Sequence, residues 1–134
     1  MGVAIGQAKA NVTGTISGDI TNTSNNIVLS NAVVSAVAAN SETTVTSYTT
    51  GALKATWITK IFVSGQENSK WRLFINGVAR IVRRIGAGQV NGDFIFETPL
   101  KISAGAIPVD IKVEHFVTGQ TPAFEATFLG YVEA

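Results

Sequence analysis

The chain has no cysteine among its 134 residues, which excludes disulfide staples, thiol nucleophiles and every cysteine-based zinc site. It is also poor in charge: Asp, Glu, Lys and Arg make up 14%, against about 25% in an average domain. Ten basic and nine acidic residues leave a net charge of +1, so neither sign is in the excess that nucleic acid or an acidic membrane would demand. Nowhere does an apolar run approach the roughly 18 residues of a membrane-spanning helix. The opening MGVAIGQAKANV has no basic start followed by an apolar core, so no secretory signal is expected. Without one, the N-x-S/T patterns at Asn11 and Asn22 read as chance.

Chemistry is equally thin. His115 is the only histidine, and it falls on the apolar side of an alternating run, the position of a satisfied core residue rather than a base or metal ligand. Asp110 and Glu114 share a strand face but are separated there by Lys112, which reads as a solvated charge ladder rather than an acid/base pair. No G-x-S-x-G elbow appears, and the glycines of GAGQVNG (86–92) precede no helix that would present its dipole to a phosphate. Asn91 and Asp93 fall far short of a calcium coordination set. The expectation is a non-enzyme with no cofactor and no bound metal.

What is present is β-rich. A chain of this length can bury roughly two-thirds of its unfolded surface and fold as one domain without staples. All eleven aromatic residues lie from Tyr48 onward, and the first 47 residues carry only Lys9, Asp19 and Glu42 as charges. Residues 1–26 therefore read as an extended arm and linker, and 27–134 as the folded body. In the arm, Val12, Ile16 and Ile20 alternate with polar residues, the period of an extended strand. That stripe is too small to fold alone and predicts pairing with another strand. The Asn-rich TNTSNN (21–26) is the loop before the body.

In the body, short runs recur at 8–12-residue spacing: 27–38, 43–50, 53–64, 70–76, 78–85, 93–98, 107–116 and 123–132. Asn76-Gly77 carries the signature of a type I′ hairpin turn, because both residues tolerate positive φ. In 107–116 the alternation puts Val109, Ile111 and Val113 inward and Asp110, Lys112 and Glu114 outward. Seven or eight such strands without a strong helix predict an antiparallel β-sandwich or barrel.

Two clusters are candidate contacts. Arg80, Arg83 and Arg84 are the one local excess of positive charge. Plain alternation puts Arg80 and Arg84 on one face and Arg83 on the other, suiting a charge-guarded edge strand or a strip docking on an acidic surface. Tyr48, Trp57 and Trp71, with Tyr131, are candidates for stacking on sugar rings, although Trp57 and Trp71 share alternation with core aliphatics and favour the core.

The order AANSETTVTSYTTGA (38–52), KIFVSGQENSKWRLFING (60–77), FIFETPLKISAGAIPVDIKVEH (94–115) and FEATFLGYVEA (124–134) resembles small jelly-roll proteins of tailed-bacteriophage virions. These are capsid decoration proteins, head fibres and tail accessory modules. The likeness covers about 95 residues and carries over no functional residue. It implies a jelly-roll sandwich with an N-terminal arm, a homo-oligomer (a trimer), and a place on the capsid surface after synthesis in the host cytoplasm. The partner would be the major capsid protein or another virion protein, with no role for nucleic acid or membrane. A low charge content also predicts surface hidden against copies of the chain or another protein. The alternative is a carbohydrate- or receptor-binding module of a phage fibre or tail, acting through loops 64–69, 86–93 and 117–122.

Overall fold

The computed structural model describes residues 26–134, so Val12, Ile16 and Ile20 of the proposed arm lie outside the described residues. Eight strands are found among them: β1 (Ile27–Val34), β2 (Thr43–Thr49), β3 (Thr56–Ser64), β4 (Ser69–Ile75), β5 (Val78–Ile85), β6 (Asn91–Ile102), β7 (Pro108–His115) and β8 (Phe124–Val132). They build two four-stranded antiparallel sheets, in the order β1-β8-β3-β6 and β2-β7-β4-β5. β1 pairs with β8, β2 with β7, β3 with β6 and β4 with β5. That is a long two-stranded ribbon rolled up on itself, which is a jelly roll. The expected all-β jelly-roll sandwich is the observed architecture.

The tip of the ribbon is the turn between β4 and β5. Asn76 and Gly77 have φ of 52° and 79°, the two positive values that a type I′ turn requires. From there the chain pairs outward in both directions, and the ribbon's rolling brings the inward faces together. From the β2-β7-β4-β5 sheet, Trp71, Leu73, Val109, Ile111 and Val113 are wholly buried. They meet Ile58, Ile61, Phe124, Ala126 and Phe128 of the other sheet. The edge of Trp71 packs against Phe124 with ring centroids 5.6 Å apart. The alternation in β7 is as expected, with Val109, Ile111 and Val113 all fully buried.

Bulges alter the alternation elsewhere, in β1 between Val28 and Ser30 and in three further strands. In β3 the register slips between Ile58 and Lys60 against both neighbours. Ile58, Ile61 and Val63 consequently all point inward, while Trp57, Lys60 and Phe62 point outward. This corrects the expectation that Trp57 shares a face with Ile61 and Val63. The slip is accommodated by Gly130 on β8: a Cβ there would collide with the Trp57 carbonyl and the Ile58 backbone. In β5, Leu73 faces Ile81 while Phe74 faces Ala79, so Arg80 is the extra residue. A third slip in β2, between Thr44 and Thr46, buries Val45 and Thr46 together.

β6 runs past Pro99, which composition marks as a break. The break shows instead in the pairing, which jumps from Ile95 opposite Lys60 to Leu100 opposite Ile58, leaving residues 96–99 without partners on β3. A proline at such a gap removes no ladder hydrogen bond.

The role of Gly130 is testable. Gly130→Ala should destabilise the sandwich by about 1–3 kcal/mol, the cost of forcing a methyl into a filled space. Thermal or urea unfolding reads this directly, and an unchanged midpoint would mean that the β3 bulge does not depend on this glycine.

Candidate functional site

The outer faces of the two sheets are built differently. On the β2-β7-β4-β5 sheet several outward charges engage one another, while Lys112 and Arg84 are in no ion pair found among the described residues and Val82 is exposed beside them. Arg72 donates from Nε and one terminal nitrogen to the two carboxylate oxygens of Glu42 at 2.7 and 2.8 Å. Lys70 and Glu114 form an ion pair at 3.6 Å, and the Ser47 hydroxyl donates to Asp110. The ring of Phe74 has Arg72 and Lys112 close by, at 5.0 and 4.5 Å from its centroid. The hydrogen bonds from Arg72 hold the Glu42 carboxyl below the usual carboxylate range, partly opposed by its burial. The same contact raises the pKa of Arg72.

The outer face of the β1-β8-β3-β6 sheet sets exposed apolar side chains among polar and charged ones. Register places its residues in rows. One runs Val28, Leu129, Lys60, Ile95; the next Asn31, Thr127, Phe62, Asp93; a third Val33, Glu125, Ser64, Asn91. Val28, Val33, Phe62 and Ile95 are 60, 59, 43 and 63% exposed. A shallow recess of about 360 Å³ opens here, bounded by Phe62, Ser64, Asn91, Glu125 and Thr127. Beyond the rows, Trp57 stacks on Tyr131 at 5.5 Å and 16°, with Lys101 Nζ 5.4 Å from the Trp57 centroid. Composition hints at such a face through low charge. Its members escape a linear reading, because the β3 bulge decides which residues face out.

The sequence candidates are scattered over the sandwich. Arg80, Arg83 and Arg84 are exposed on β5, an edge strand. The expected sharing of a face by Arg80 and Arg84 fails, because the bulge at Arg80 resets the alternation. Arg80 lines a cleft of about 510 Å³ between the sheets, with Ile75, Ile81, Leu100 and Ile107. Arg83 crosses the open edge, its Nε 3.3 Å from where a Cβ on Gly92 would stand. Arg84 borders a separate recess with Asn68 and Phe116. The three arginines do not form one strip.

The aromatic platform is likewise absent. Trp71 is fully buried and unable to meet a sugar. Tyr48 is half-buried, its hydroxyl hydrogen-bonded to Thr56 Oγ1 at 3.0 Å. Trp57 is flanked by Tyr131 and Lys101 from the two neighbouring strands. Tyr48, Trp57 and Trp71 thus offer no shared stacking surface.

The loops behave otherwise. The segments after β3, β5 and β7 meet at one end of the sandwich. Gly65 N–H donates to Val90 O at 2.9 Å, Gly88 N–H to Glu67 Oε1 at 2.6 Å, and Gln66 Nε2 to Gln120 Oε1 at 2.7 Å. His115 anchors this end. It is fully buried, with Nε2 2.7 Å from Val37 O and Nδ1 accepting from Val117 N–H at 3.3 Å. Those partners assign the proton to Nε2 of a neutral ring, so the imidazole ties two loops together. Among the described residues no group of three or more His, Asp or Glu is placed to hold a metal ion.

Comparison with protein-family models, with curated proteins and with solved structures returns no match.

Two outcomes follow from this geometry. His115→Leu should cost about 1–3 kcal/mol by leaving the Val37 carbonyl unpaired, with amide shifts in loops 35–42 and 116–123 as the NMR check. For Glu42, the folded pKa lies below the unfolded one, so its contribution is present at neutral pH and lost as pH falls through the folded value. The difference in melting temperature between the natural chain and Glu42→Gln should therefore be largest above about pH 5 and vanish well below the unfolded carboxylate pKa of about 4.3.

Proposed function

We propose that the chain is a non-enzymatic structural protein of a bacteriophage virion, a capsid decoration (head accessory) protein that assembles with itself and binds the capsid surface. The observation that carries this reading is the division between the two sheet faces. One outer face carries two ion pairs, Lys70–Glu114 and Arg72–Glu42, among further charged residues. The other leaves Val28, Val33, Phe62 and Ile95 exposed, spread over three strands among polar and charged neighbours, and exposed apolar side chains on one face favour cover by protein. The strand order and the sequence likeness to phage jelly-roll proteins support the same conclusion, and the likeness suggests a trimer.

A second reading draws on the loop end. Loops 64–69, 86–93 and 117–122 converge and are cross-linked by hydrogen bonds, as they would in a receptor- or carbohydrate-binding module of a fibre or tail. A glycan array with the purified chain distinguishes the two, because the decoration reading expects no glycan signal.

The direct test is mass spectrometry of purified particles of the phage that encodes the chain. The chain should be present in many copies per particle and exposed to antibody on the head. Deleting residues 1–20, which hold Val12, Ile16 and Ile20, should leave the sandwich folded and weaken attachment to heads, as read by co-sedimentation. Absence of the chain from washed particles would overturn the assignment.

A further inference from the structure

The cleft of about 510 Å³ between the sheets at the β5–β6 flank falls within the roughly 300–1,000 Å³ of small-molecule sites. Ile75 and Ile81 form its wall on one sheet, Leu100 and Ile102 the wall on the other, and Ile107 comes from the turn before β7. Ile75, Ile81, Leu100 and Ile107 are half-buried: each packs on the core yet keeps part of its surface open to the cleft.

The charged residues bordering this space are both basic, Arg80 on one wall and Lys101 on the other, and no acidic residue lines it. Lys101 is engaged elsewhere, with Nζ 5.4 Å from the Trp57 ring centroid. Arg80 belongs to neither ion pair found among the described residues. It is the extra residue of the β5 bulge, set between Ala79, which faces Phe74, and Ile81, which faces the buried Leu73. Bulges re-aim side chains, and this one puts a guanidinium beside an aliphatic wall.

The walls are also fixed in place. Buried Thr50 pins the turn at 103–107: its hydroxyl donates to Ser103 O and accepts from Ile107 N–H, each at 2.9 Å. Thr50 N–H donates to Ile107 O at 3.0 Å, and at the ribbon tip Asn76 N–H donates to Pro108 O at 2.8 Å. A preformed cleft spares a ligand much of the ordering cost of binding. Arg83 and Arg84 further along β5 discourage an added strand, which favours a small occupant. A single guanidinium matches a monoanion and grips a carboxylate through two parallel hydrogen bonds.

We propose that this cleft binds an aliphatic carboxylate, with its chain along Ile75, Ile81, Leu100 and Ile107 and its head on Arg80. Its occupancy is independent of the assembly reading above.

Decanoate, kept below the concentration at which it forms micelles, is the probe, with decanol and decyltrimethylammonium as uncharged and cationic controls. In methyl NMR of the full chain, decanoate should shift the signals of Ile75, Ile81, Leu100 and Ile107. Val28 and Ile95, exposed on the outer face of the other sheet, should not move. Arg80→Gln should weaken decanoate binding at least about tenfold, down to the affinity of decanol, with an unchanged circular dichroism spectrum. Arg83→Gln, on the same strand, should bind decanoate as the natural chain does. Decanoate that shifts no cleft methyl at millimolar concentration, or shifts the outer-face methyls equally, would overturn the proposal. So would an Arg80→Gln chain that binds decanoate undiminished, or a natural chain that takes either control as tightly as decanoate. Detection in purified particles decides the virion reading separately.

Discussion

The fold depends on one constraint, the antiparallel ribbon that starts at Asn76-Gly77. Each strand before that turn finds its partner at nearly the same distance after it: β4 with β5, β3 with β6, β2 with β7, and β1 with β8. Once the turn fixes the hand and register of the first pair, later pairs have little freedom to slip, because a one-residue shift would turn a buried face to water. The ribbon's cost is kinetic. Its outermost pair joins residues near 30 to residues near 127, and closing such long loops before their contacts form is slow. Burial of Trp71, Phe124 and Phe128 at the centre is what rewards that closure.

Much of this was legible in the sequence, because period-two alternation and turn chemistry are local. Val109, Ile111 and Val113 alternate cleanly with charges, and the Asn-Gly pair announces its own φ angles. The failures share one cause. A bulge shifts the face of every later residue in its strand, yet it leaves no mark on composition. Trp57 and Trp71 sit in similar apolar runs, but only Trp71 reaches the core, since the slip after Ile58 leaves Trp57 on the outside. Arg80 and Arg84 part company for the same reason. The apolar residues of that outer face were invisible as a group because they come from four strands and are aligned only by register.

The bulge that hid this surface also creates it. With regular alternation, β3 would send Ile61 and Val63 to the same side as Trp57 and leave Lys60 and Phe62 facing the core. Burying a lysine head there without a partner would be costly. The slip lets Ile58, Ile61 and Val63 all serve the core, and sends Lys60 and Phe62 out. Gly130 is the complement of that slip on the neighbouring strand, since only a residue without a side chain admits the displaced Trp57 carbonyl. A single glycine thus connects core packing to the character of the outer face.

The two flanks of the sandwich complete the asymmetry. At the β1–β2 flank the Ser30 hydroxyl donates to Ser47 O at 2.8 Å, so the Thr46 hydroxyl, 2.6 Å away, must donate to Ser30. That chain of hydroxyls joins the two sheets beside a strand with no charge. At the β5–β6 flank no such stitch is present among the described residues, and Arg83 lies across the gap above Gly92. Charges on an edge strand discourage a neighbour from pairing there, and an uncharged edge permits it. Charge therefore discourages pairing at the β5 edge, whereas β1 carries no charged residue of its own.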